Sequence, residues 1–209
     1  MTKVSTEPEV APDRRQLIVK MAAELFAESS IAETTVREIG DAAGILSGSL
    51  YHYFPSKDAI VEEIMMSFLD DLTTRYEAVR LGGGTAIDQF RGLVAASLAC
   101  TSSHLHAAEI YQNDINYFLK SSRFTSVQAK VVKIRSAWIE VLDAGIKDGN
   151  FRSDLPAWLV YHLLRDSIWQ SVRWFKPSEN YSYAALSEDC CKLFLTGFVA
   201  NSASDGGVE

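Results

Sequence analysis

The 209-residue sequence predicts an all-α protein. Apolar residues recur three and four positions apart along most of the chain, the spacing of a helix face. Capping residues, glycine and proline mark the helix starts and stops. No stretch alternates apolar and polar residues as a half-buried strand would, and no internal repeat or low-complexity segment competes. About nine helices are expected.

Residues 1–12 are polar and proline-containing and read as a disordered tail. Asp13 caps a first helix whose core face is Ile18, Met21, Ala22, Leu25 and Phe26. Thr35 and Glu38 form a capping box for a short second helix with Val36, Ile39 and Ala43 inward. Gly44 sits where a helix end needs positive φ. Leu50 and Phe54 make the buried face of a third helix, which Pro55 ends. Ser56 caps a long fourth helix from Lys57 to about Arg80, with Ile60, Ile64, Phe68 and Leu72 on one face. After Gly82-Gly83-Gly84, Thr85 and Asp88 start a fifth helix through Phe90, Leu93, Val94 and Leu98.

Residues 104–119 read as one or two short helices, and 123–147 as a long one that ends at Gly149. In the FRSDLP segment, Asp154 is the expected N-cap of a continuous helix running to Lys176, where Pro177 stops it. A last helix is expected over 183–200, then a polar tail from 202 to 209.

Composition narrows the function. No run of about 18 uncharged apolar residues is present, so no membrane span is expected. The stretch MTKVSTEPEVAPD has no apolar signal region, and a cytoplasmic protein is expected. Cys100, Cys190 and Cys191 are odd in number with no CxxC spacing and fit reduced thiols; Cys190 and Cys191, adjacent and with only Lys192 as a nearby cation, read as packing residues rather than redox sensors. With 20 Lys and Arg against 27 Asp and Glu, the net charge is −7, which argues against non-specific coating of nucleic acid. A site-specific reader needs only a few cations at phosphates, and Arg14, Arg15, Arg37 and Lys57 supply them. His104 and His106 with Glu109 invite a metal reading, but residues two apart do not face together on a helix, and no metal is expected. The four histidines show no nucleophile–base partners, so the chain is not expected to be an enzyme.

Two short helices joined by a glycine turn have helix-turn-helix geometry, with the second helix in a DNA major groove. A plain αα-hairpin in a helical core has the same spacing. The outer side of the second helix carries Ser47, Gly48, Ser49, Tyr51, His52 and Tyr53, which suits close approach to a polyanion better than a solvated face does.

In full, Thr35-Val36-Arg37-Glu38-Ile39-Gly40 and Ala43-Gly44-Ile45-Leu46-Ser47-Gly48-Ser49-Leu50-Tyr51-His52-Tyr53-Phe54-Pro55-Ser56-Lys57 resemble the DNA-binding signature of the TetR family of transcriptional regulators. Two positions depart from it. Leu46 stands where the family usually has Ser, and Ser30 where a Gly usually closes the first helix. The resemblance implies a DNA-binding domain at 13–58 and a ligand-binding and dimerisation domain at 59–201. Arg37, Ser47, Ser49 and His52 are then expected at base edges or nearby phosphates of a double-stranded, near-palindromic operator. Thr35, Tyr51, Tyr53 and Lys57 are expected on the DNA backbone, with Gly48 inside the contact. The homodimer is expected through the last two helices.

Tyr161, Arg165, Trp169 and Arg173 recur every four residues as one aromatic-cationic stripe. It suits either a ligand with a flat or apolar body and an anionic or carbonyl group, or a dimer seam, where Arg and Trp are also enriched. The residues leave both open. Within 104–176, IYQNDINYF, RFTSVQAK, FRSDL and LLRDSIWQSVRWF are similar to a TetR subgroup from steroid-degrading bacteria. Those repressors control breakdown of the last two steroid rings and answer to a CoA thioester of that fragment. The likeness implies a repressor with an acyl-CoA effector at Arg165 and Trp169 and no further cofactor. Tyr111, Trp138 and Arg173 are further ligand candidates by side-chain type and position. A fatty or aromatic acyl-CoA or a planar drug is the alternative effector, and an acyl-CoA enzyme a more distant reading.

Overall fold

A computed structural model describes residues 13–197. The predicted tails, 1–12 and 202–209, and the end of the predicted last helix lie outside them. The described residues form eleven α-helices, one 3-10 turn and no strand. These are α1 (Arg14–Ser29), α2 (Val36–Ala42), α3 (Ser47–Leu50), α4 (Lys57–Leu81), α5 (Ala86–Ser103), α6 (Leu105–Asn113), α7 (Ile115–Lys120), α8 (Thr125–Lys147), α9 (Ala157–Trp169), α10 (Ser171–Trp174) and α11 (Tyr183–Thr196). The 3-10 turn, Ser122–Phe124, precedes α8.

Two compact units divide the chain. One runs to Phe68 and takes in His106–Gln128; the other holds Leu69–Leu105 and the chain from Ala129. Both α4 and α8 start in the first and end in the second.

The first unit is built on buried Ile18, Ala22, Phe26, Ile31, Ile39, Leu50, Phe54 and Ile60. Phe118 and Phe124 complete that core, packed edge to face with centroids 5.4 Å apart. Each such side chain taken from water contributes about 1.5–3 kcal/mol. Asp114 separates α6 from α7 and accepts the Ile31 backbone N–H at 3.3 Å, so residues 104–119 form two helices.

In the second unit, α5 packs against α9 and α11 around Phe90, Leu93, Leu98, Leu164 and Ile168. Trp138 lies at its centre, edge-on to Tyr76 and Phe90. Three expectations change here. Asp154 does not cap α9: it is held by Arg152, and the cap position is Pro156, which offers no side-chain bond. The expected helix to Lys176 is interrupted at Gln170: α9 ends at Trp169, α10 covers Ser171–Trp174, and the buried Ser171 hydroxyl donates to the Ile168 carbonyl. α11 stops at Thr196, with Gly197 at φ 81°.

Candidate DNA-binding surface and effector helices

The Thr35–Glu38 capping box forms as expected. The Thr35 hydroxyl accepts the Glu38 backbone N–H at 3.2 Å, and the Glu38 carboxylate accepts the Thr35 backbone N–H at 2.7 Å. Those bonds to Thr35 hold the Glu38 carboxyl below its ordinary range. Gly44 makes the turn at φ 64°, where the Ile45 N–H reaches back to the Gly40 carbonyl at 2.9 Å. The recognition segment is shorter than the expected helix: α3 is one turn, continued by tight turns in which Tyr53 and Phe54 N–H both reach the Leu50 carbonyl. Leu46 stands at the N-cap and gives no side-chain bond. Burial of Leu50 and Phe54 turns Gly48, Tyr51, His52 and Tyr53 outward, with Ser47 and Ser49 half-buried between them.

The cations differ in how firmly they are held. Arg37 is exposed and lies 3.8 Å from Asp41, a loose surface pair of little energetic weight. Arg15 pairs with Glu63 and stacks its guanidinium 4.2 Å above the Phe54 ring. Arg14 reaches the Gly44 carbonyl at 3.3 Å. Lys57, expected on the DNA backbone, instead donates to the Ile31 and Thr34 carbonyls at 2.6 and 2.8 Å. Its ammonium closes the 31–34 loop against the start of α4. Ser30, at the glycine position of the family pattern, takes φ 74° and ψ 159°, a region that costs a residue with a Cβ about 1–3 kcal/mol.

Asp58 anchors the same unit from α4. It accepts the Tyr117 hydroxyl and an Arg123 N–H, each at 2.6 Å. Burial alone would raise its carboxyl, but those bonds and the charges of Arg123 and Lys57 hold it below the ordinary carboxylate value. Burial and the Asp58 bond push the Tyr117 phenol up to about 12.

The five effector candidates are distributed over both units. Tyr111 belongs to the first unit, buried and stacked on Phe118 at 6.3 Å. The other four lie in the second. Trp138 is a core residue whose indole N–H donates to the Tyr76 hydroxyl at 2.9 Å. Tyr76 and Ser97 oxygens are 2.6 Å apart, and Ser97 donates to the Leu93 carbonyl, so Tyr76 is the donor to Ser97. This one-way chain is fully buried, and burial drives the Tyr76 phenol well above its ordinary value.

On α9, Tyr161 and Trp169 are buried, and the half-buried Arg165 pairs with Asp166 at 2.6 Å. Beyond the break at Gln170, Arg173 lies on α10 and is exposed. A residue that the stripe did not include appears beside it: the Arg135 guanidinium lies 6.0 Å from the Tyr161 ring centroid. Burial raises the Tyr161 phenol, opposed by the charges of both Arg165 and Arg135. Arg135 sits on α8, far away in sequence, and only its helical phase relative to Trp138 hinted at it. The second unit also encloses an apolar cavity of about 310 Å³, lined by residues that include Phe90, Leu142, Phe151, Leu163 and Phe194. None of the sequence-predicted effector residues lines it.

Comparison with known proteins identifies this architecture. Residues 18–64 match the family of bacterial regulatory proteins named tetR, and residues 83–198 match the tetracyclin repressor-like C-terminal domain. The chain belongs to the TetR family. It is a DNA-binding transcription regulator similar to the KstR2 proteins. The HTH-type transcriptional repressor KstR2 of Rhodococcus jostii is 38% identical over 187 residues, covering 90% of this chain and 92% of the relative. Its counterpart in Mycobacterium tuberculosis is 40% identical over 184 residues, covering 88% and 92%. The solved structure of the ketosteroid transcriptional regulator KstR2 of Mycobacterium tuberculosis superposes with a TM-score of 0.83 at 36% identity, covering 90% of this chain and 95% of that one. No helix of this TetR regulator, among the described residues, is long and apolar enough to cross a membrane.

Proposed function

We propose that this TetR regulator is a homodimeric repressor that reads a near-palindromic operator and is released by a CoA thioester of a steroid ring fragment. The observation that carries the DNA half is the outward face of α3 and its following turn: Ser47, Gly48, Ser49, Tyr51, His52 and Tyr53 are presented by a buried Leu50–Phe54 pair. Ser47, Ser49, His52 and Arg37 read base edges or nearby phosphates, and Thr35, Tyr51 and Tyr53 hold the DNA backbone. Lys57 acts one step back by fixing the loop before α2.

The effector half rests on Arg165 beside buried Trp169 and Tyr161, with Arg135 as a second cation, and on the likeness to ketosteroid regulators. Guanidinium groups bind phosphate or carboxylate with fixed geometry, and the aromatic rings supply area for a ring body. Effector binding releases DNA when it favours the non-binding state by about 1–3 kcal/mol. Exposed Trp158 and Leu163 on α9 and Leu193 on α11 give the second copy an apolar seam. The regulator acts in the cytoplasm, without a catalytic step.

The 310 Å³ apolar cavity favours a second reading, in which a fatty or aromatic acyl chain is the inducer. Fluorescence titration with steroid-ring and fatty acyl-CoA thioesters separates the two. The steroid thioester is expected to bind tightly and to lose affinity with Arg165→Met; preference for a fatty thioester would move the effector to the cavity.

A further inference from the structure

We propose that Asp71, Cys100 and His104 form a binding site for a zinc-type divalent transition-metal ion within the second unit. Asp71 lies on α4, while Cys100 is in the last turn of α5 and His104, four residues on, is that helix's C-cap. One ligand atom from each falls within 4.8 Å of the others. The Cys100 Sγ is 3.6 Å from Asp71 Oδ2, and His104 Nε2 is 3.1 Å from the same oxygen. With metal–sulfur bonds of about 2.3 Å and metal–nitrogen or metal–oxygen bonds of about 2.0–2.1 Å, tetrahedral ligand edges come to roughly 3.3–3.5 Å. The two edges that meet at Asp71 Oδ2 are therefore close to those of a first coordination shell, and the sulfur-to-imidazole edge lies within 4.8 Å.

The donor set selects the ion. Thiolate, imidazole and carboxylate together suit zinc and its neighbours, whereas magnesium and calcium require oxygen. Arg75 Nε holds the other Asp71 oxygen, Oδ1, at 2.9 Å and so orients the carboxylate toward the sulfur and the imidazole. Cys100 is fully buried, but the Asp71 and His104 side chains are 30% and 25% exposed, which gives the ion an entry edge and leaves a fourth position for water. On binding, the thiol proton passes to solvent and the thiolate, imidazole and carboxylate each form one bond to the ion. The histidine pair in the sequence is not the one assembled: His106 Nδ1 turns to Glu109 at 3.2 Å. An ion held by these residues ties the middle of α4 to the end of α5.

Cobalt(II) titration of the full chain tests this directly. The expected result is one equivalent bound, with the near-ultraviolet thiolate-to-cobalt charge-transfer band and intense visible bands of tetrahedral cobalt, bleached by one equivalent of zinc. Cys100→Ser abolishes the charge-transfer band, His104→Gln weakens binding at least about tenfold, and a Cys190→Ser, Cys191→Ser variant keeps both. Circular dichroism of the metal-free variants establishes that they fold; if Cys100→Ser does not, the comparison of His104→Gln with the double variant decides. No band in the wild-type protein overturns the proposal, and so does a band that survives Cys100→Ser or depends on Cys190 and Cys191.

Discussion

The two units differ in what their most buried polar side chains hold, although both contain side-chain pairs, such as Asp58–Tyr117 in the first and Arg165–Asp166 in the second. In the first, long side chains reach backbone groups: Lys57 takes two carbonyls, Asp114 an N–H, and Thr35 and Glu38 each other's N–H. Backbone targets fix the loops, and what remains outward is a small rigid set around Tyr51 and His52. In the second, polar groups meet one another, as in the buried chain from Trp138 through Tyr76 to Ser97, and an apolar cavity remains. A reading head needs its side chains in one place before DNA arrives. A sensor needs space and groups that a ligand can re-pair.

The contrast is broken most sharply at the outward face. A Tyr51→Ala, His52→Ala variant is expected to lose operator affinity by about tenfold or more, with an unchanged thermal melt because both residues are exposed. Fluorescence anisotropy with operator DNA reads the first and calorimetry the second. Lys57→Met removes the partner of two carbonyls and is expected to cost about 1–3 kcal/mol in urea denaturation. Were Lys57 only a phosphate contact, stability would hold and DNA affinity alone would fall.

Two substitutions in the second unit separate scaffold from sensor. Trp138→Phe is expected to cost about 1 kcal/mol of stability by ending the chain at Tyr76, with effector affinity retained. Arg165→Met should do the reverse, and titration calorimetry beside denaturant melts distinguishes them. Ser30→Gly relieves the positive φ and is expected to gain about 1 kcal/mol.

The smallest effect is on pH dependence. The Asp58 carboxyl lies below its ordinary value in the folded protein, so unfolding takes up a proton. Its contribution is full above the ordinary carboxylate range and is lost as pH falls through the folded value. Asp58→Asn should flatten the acid limb of the stability curve, read by denaturation at stepped pH.

What the sequence made legible follows the same division. The capping box at Thr35, the turn at Gly44 and the inward pair Leu50 and Phe54 are local patterns, and the structure has each of them. The departure at Ser30 was equally readable, because only a left-handed backbone makes glycine usual there. Long-range partners were not legible. Nothing near Lys57 in the chain announces that its ammonium turns to carbonyls 23 and 26 residues back. Periodicity extended the Tyr161–Arg173 stripe through Gln170, where the structure ends α9 and starts a separate short α10 that carries Arg173. Arg135 meets Tyr161 across two helices, and Asp71 reaches the Cys100–His104 pair from another helix, so spacing within one helix reveals neither contact.

The central claim is that the outward face of α3 reads DNA under control of a ligand bound near Arg165. Gel-shift binding to the DNA upstream of this protein's own gene, with and without steroid-ring and fatty acyl-CoA thioesters, tests it most directly. The expected result is a complex released by the steroid thioester, with release blunted in Arg165→Met. A complex that no thioester disturbs would contradict the effector assignment, and no complex at all would contradict self-regulation through that operator.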